Sequence, residues 1–216
     1  MNLRCSLASV PQTRSVQSHL HAAQSMNLRL HVSFLSAGLL AASSMALVFF
    51  FGNWFDGLPL RVRIYSLWSP MPMFLLAGSL AGWGCGRGWR SITSFGLASL
   101  LPGFWIPTAM MGPQGAHQTI DLFLLTTGIP TATYLFVGMI GGYVSFRSLR
   151  AAISVAAGFA IGAILGPVLA WLLRPMTSDV RLPLSLGGWI LPWLGGAWGA
   201  GRFLQRQGDL PMQAEP

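Results

Sequence analysis

GSLAGWGCGRGWR (Gly78–Arg90) and GMIGGYVSFRSLR (Gly138–Arg150) stand sixty residues apart, and their shared pattern decides the fold. Each runs from a Gly-x3-Gly step into an arginine pair: Gly78, Gly82, Arg87 and Arg90 recur as Gly138, Gly142, Arg147 and Arg150. Working outward, Pro70 pairs with Pro130, Trp83 with Tyr143, Ser94 with Ser154, and Pro107 with Pro167. Aligning residues 70–107 with 130–167 gives eight identities in thirty-eight positions. Chance would give roughly three in a chain so rich in Leu, Gly and Ala, judged from ordinary compositions. Fainter echoes lie at both ends, in Arg29 followed by Ser33-Phe34 and in Ala197-Trp198 followed by Arg202. The pattern predicts an all-α membrane bundle of three two-helix repeats, each of about 60 residues. The arginines argue less for duplication than the prolines and glycines do, because membrane orientation alone demands arginine at such turns.

Composition agrees. The chain has 216 residues, 53% hydrophobic and 8% charged, whereas a soluble domain carries about 25% charged residues. Stretches of about 20 apolar residues cross a hydrocarbon layer of roughly 30 Å. Six are legible, near residues 30–52, 69–87, 91–111, 120–145, 151–173 and 184–201. Inside lipid the backbone must pair within its own segment, so each is expected to be a helix. The expected division is a disordered cytoplasmic tail over 1–28, a six-helix transmembrane domain over 29–203, and a short cytoplasmic tail over 204–216.

All thirteen basic residues are arginine, and the net charge is +8. They are spread over helix ends instead of gathered on one face, which favours the positive-inside rule over a nucleic-acid partner. With the N-terminus in the cytoplasm, nine arginines (4, 14, 29, 87, 90, 147, 150, 202 and 206) face inward and four (61, 63, 174 and 181) face outward. A multi-pass protein of the cell membrane, of the bacterial inner-membrane kind, with both termini cytoplasmic is expected. Arg87, Arg90, Arg147, Arg150 and Arg202 would then contact anionic lipid headgroups.

The first segment admits other readings. Residues 1–28 hold Arg4 and Arg14 and no acid, the composition of a transit peptide. Met26-Asn-Leu-Arg repeats Met1-Asn-Leu-Arg, so translation could start at either methionine. Ser44-Met45-Ala46 imitates a signal cleavage site, but the apolar run continues through Phe51, too long for a signal core and right for a span.

Two sets of residues stand out within the spans. Gly78, Gly82, Gly138, Gly142, Gly158 and Gly162 recur at four-residue steps, which places small residues on one helix face. Such faces let neighbouring backbones approach, within the chain or in a homo-oligomer or membrane partner subunit. Thr126, Thr127, Pro130 and Thr131 form the most polar stretch of any span and the candidate cavity wall. The alternative is a kinked helix whose hydroxyls turn back to its own carbonyls.

The missing chemistry narrows the function. There is no His-Glu-x-x-His, no Gly-x-Ser-x-Gly, no lysine for a phosphate loop, and no pair of acids on one helix face. Cys5 and Cys85 make no metal signature, and His117 with Asp121 supplies two ligands without a third. No enzyme and no cofactor are expected. The leading expectation is a small transporter, or transporter subunit, for a neutral or weakly polar solute. The alternative is a non-catalytic scaffold or accessory subunit packing through its glycine faces.

Overall fold

Long apolar runs leave the backbone little to bond but itself, and helices follow. A computed structural model describes residues 12–55, 70–110, 119–172 and 188–208. Six helices lie in them: α1 Gln12–Phe55, α2 Pro70–Gly84, α3 Trp89–Met110, α4 Thr119–Phe146, α5 Leu149–Leu172 and α6 Leu191–Gly208. Three contain a stretch long and apolar enough to cross a membrane: Asn27–Leu47 in α1, Thr127–Phe146 in α4 and Leu149–Leu169 in α5. Of the six spans expected from sequence, three are thus shown by length and composition among the described residues. The described α2 has 15 residues, serine and threonine dilute α3, and α6 runs into Arg202 and Arg206.

The first helix begins at Gln12, inside the segment read above as a disordered tail. No proline interrupts residues 12–55, so the helix has no stop signal there. At 44 residues and about 1.5 Å per residue it extends about 66 Å, roughly twice the hydrocarbon thickness.

The turns follow from local chemistry. Between α2 and α3 the chain reverses through Gly86 and Gly88, both with positive φ, a conformation that costs glycine nothing. Between α4 and α5, Arg147 takes that left-handed role at φ 49°. Its N–H donates to the Tyr143 carbonyl at 2.7 Å, closing the helix end. Ser148 then caps α5, its hydroxyl accepting from the Ala151 N–H at 3.4 Å.

Each helix packs on its sequence neighbours, and α1 meets α6, so the six form a closed ring. Registers repeat around it. Gly78 rests on the Phe95 backbone and Gly82 on Ser91; sixty residues on, Gly138 rests on Val155–Ala156 and Gly142 on Ala151–Ala152. At the closing seam, Gly38 lies on Ile190, and Gly201 lies beside Asn27 and Leu30.

Every helix gives one fully buried aromatic side chain to the middle: Phe34, Phe74, Phe95, Tyr134, Phe159 and Trp193. Phe34, Phe95 and Phe159, from alternate helices, form a triangle with centroids 5.9, 6.0 and 6.5 Å apart. The other buried positions are mostly Ala and Gly, while Leu, Ile and Trp side chains stand exposed on all six helices. Large apolar groups outside and small ones inside suit a bundle bathed in hydrocarbon, where backbones gain most from approaching closely.

Candidate functional site

Pro130 lies in the body of α4, where a proline removes one backbone bond. It is buried between Thr127 and Thr131. Their side-chain oxygens are shielded from solvent and have no hydrogen-bond partner. Thr133 behaves otherwise, donating to the Pro130 carbonyl at 2.9 Å. Self-bonding is common elsewhere in the bundle: Ser33 donates to Arg29, Ser43 to Leu39 and Ser99 to Phe95, each to a carbonyl one turn back. Thr127 and Thr131 therefore keep free hydroxyls in the interior. The Thr126 side chain lies outside the described residues, as do His117 and the side chain of Asp121.

Two further free groups join this row, and sequence reasoning missed both. The Tyr134 hydroxyl and the Trp193 indole nitrogen, on fully buried side chains, also lack partners. The two rings meet edge to face at 6.0 Å and 86°. The indole nitrogen and the hydroxyl lie near each other, and neither makes a hydrogen bond. Tyr134 stacks on Phe159 at 5.8 Å and 11°. An unpaired buried polar group costs about 1–3 kcal/mol, so four in one region ask for an explanation.

The six candidate glycines all face inward within this chain. Gly78 and Gly82 of α2 pack against α3, Gly138 and Gly142 of α4 against α5, and Gly158 and Gly162 of α5 against α6. The closest approach is between Gly158 and Gly195, where an added Cβ would strike the facing carbonyl. Beside it, Ser154 donates across the seam to the Gly199 carbonyl at 2.8 Å.

The described arginine side chains gather at one end. Arg87, Arg90, Arg147, Arg150 and Arg202 are exposed there, together with Arg29 and Arg206. Arg29 lies 4.0 Å over the Trp83 ring, Arg202 lies 4.2 Å over Trp198, and Arg87 lies 5.7 Å from Phe146. Such cation–π contact is worth about 0.5–1 kcal/mol at exposed sites. No aspartate or glutamate is among the described side chains, so none is seen to neutralise this cationic end. The described residues also contain no cluster of three metal-ligating side chains. Cys85, beneath the same end, is a buried free thiol.

The fold and site define an all-helical chain, three of whose helices can cross a membrane, with an uncharged polar row inside and a cationic rim. Comparison with protein-family models, curated proteins and solved structures gives no match.

Proposed function

We propose that the chain is a six-span membrane bundle that moves a small neutral or weakly polar solute. The observation that carries this reading is the pair of interior hydroxyls, Thr127 and Thr131, left without partners beside Pro130. Exposed leucine on every helix supports six crossings. The arginine end lies in the cytoplasm with both termini, facing anionic headgroups, in line with the positive-inside rule.

The bundle is built from three two-helix units. Helices α2 and α3 form the first and α4 and α5 the second, in registers sixty residues apart. The third is split across the chain ends: α6 carries Trp198 and Arg202 where α2 carries Trp83 and Arg87. Helix α1 carries Arg29, Ser33 and Phe34 where α3 carries Arg90, Ser94 and Phe95. The α1–α6 contact that closes the ring supports this assignment.

The test is flux into liposomes holding the purified protein, followed by osmotic swelling with glycerol, urea and xylitol. Protein-dependent entry of at least one solute is expected, slowed by Thr127→Val or Thr131→Val. No protein-dependent entry of any of them would favour the scaffold reading. A scaffold partner would then meet exposed side chains such as Phe136 and Met139 on α4, because the six glycines are occupied within the chain.

A further inference from the structure

We propose that Thr127, Thr131, Tyr134 and Trp193 together form a binding site for a small uncharged molecule carrying several hydroxyl groups. The proposal rests on the transport reading for its route of entry, but the site stands on its own observations. Residues i, i+4 and i+7 of a helix share one face, so Thr127, Thr131 and Tyr134 form a single row, about 10 Å long at 1.5 Å per residue. The edge-to-face contact with Tyr134 brings Trp193 from α6 to the end of that row. All four polar atoms are buried and unpartnered, and two of them sit on fully buried side chains.

Their chemistry selects the ligand. Each hydroxyl both donates and accepts, while the indole N–H only donates. The ligand must therefore offer at least one acceptor to Trp193 and can offer donors to the rest. Pro130 lacks the N–H that would bond the Thr126 carbonyl in a regular helix. A polyol satisfies this set. An ion does not, since no opposite charge stands among these four groups and burying an unpaired charge is far more costly than burying a hydroxyl.

Geometry sets the depth. Thr127 and Thr131 precede Tyr134 on α4, on its side away from the arginine end, where α4 finishes at Phe146. The aromatic layer of Phe34, Phe95, Phe159 and Trp193 packs against Tyr134 or its neighbours there. The row therefore leads down to a floor of packed rings, and a solute would rest on Tyr134 and Trp193.

Glycerol serves as the probe, titrated into the full chain in lipid nanodiscs with fluorotryptophan incorporated. Trp193→Phe assigns the Trp193 fluorine resonance. A saturable shift of that resonance is expected, and Thr131→Val and Tyr134→Phe should each weaken it about two- to tenfold, the scale of one lost hydrogen bond. Thr133→Val, whose hydroxyl is already bonded to its own helix, should bind as the parent does. A linear, unsaturable shift equal in all variants overturns the site and leaves the four groups to ordered water. Saturable binding without flux keeps the site and overturns transport. Flux indifferent to Thr131→Val and Tyr134→Phe, with a linear titration, overturns the site and keeps transport.

Discussion

Arg147 occupies the left-handed conformation that the sister turn gives to Gly86 and Gly88. A side chain there costs on the order of 1 kcal/mol relative to glycine. Glycine would hold the turn better, so the arginine points to a role for its charge. We expect Arg147→Gly to raise stability by up to about 1 kcal/mol in zwitterionic lipid, measured by chemical or thermal unfolding. In anionic lipid that gain should shrink or reverse, because a basic side chain near a charged surface is worth about 1 kcal/mol. High salt should restore it. No gain in zwitterionic lipid would contradict the backbone argument, and an identical gain in both lipids would contradict the electrostatic one. At this scale the candidate site was half legible. Thr127, Pro130 and Thr131 announce themselves as hydroxyls around a proline. Tyr134 shares their face at helical spacing, but an aromatic among apolar neighbours reads as core, and most such residues are. Trp193 could not be found from sequence at all, since only the ring closure brings α6 to Tyr134.

Between elements, glycine decides how near two helices come. Gly158 and Gly195 face each other across the α5–α6 seam, with the Ser154–Gly199 hydrogen bond beside them. Gly158→Ala must push the α6 backbone away and should destabilise the bundle by about 1–3 kcal/mol, the usual cost of overpacking. Gly128, on α4, has nothing within 4 Å of an added Cβ. Gly128→Ala should therefore be neutral or stabilise by up to about 1 kcal/mol, through helix propensity alone. Unfolding of the two variants side by side checks this, and equal effects would contradict the packing described. The four-residue glycine steps were visible in the sequence because helical geometry puts them on one face. Which helix each face meets was not visible, since ring order is a property of the folded whole. The start of α1 was also misplaced by sequence reasoning. Polarity suggested a tail before residue 29, yet nothing in residues 12–28 forbids a helix, and the structure continues one back to Gln12.

Over the whole molecule, the ring has one cationic end and one end with no described arginine, while large apolar side chains cover its flanks. The central claim is that all six helices cross the bilayer and that the ends bearing Arg29, Arg87, Arg90, Arg147, Arg150, Arg202 and Arg206 lie on one side. The repeat is what suggests this claim, because equal offsets put Arg87, Arg90, Arg147 and Arg150 at turns of the same expected polarity. Among the described helices, α1, α4 and α5 are long and apolar enough to cross. The remaining helices depend on packing, which a sequence read segment by segment does not contain. Single cysteines test the claim directly, placed in turn at Gln114, Ser178 and Ser148 of a variant lacking Cys5 and Cys85. In right-side-out vesicles, an impermeant maleimide should label the first two, and should reach Ser148→Cys only after the membrane is opened. Labelling of Ser148→Cys in sealed vesicles, with Gln114→Cys and Ser178→Cys protected, would contradict the orientation. All three sites labelling from the same side would contradict the six crossings.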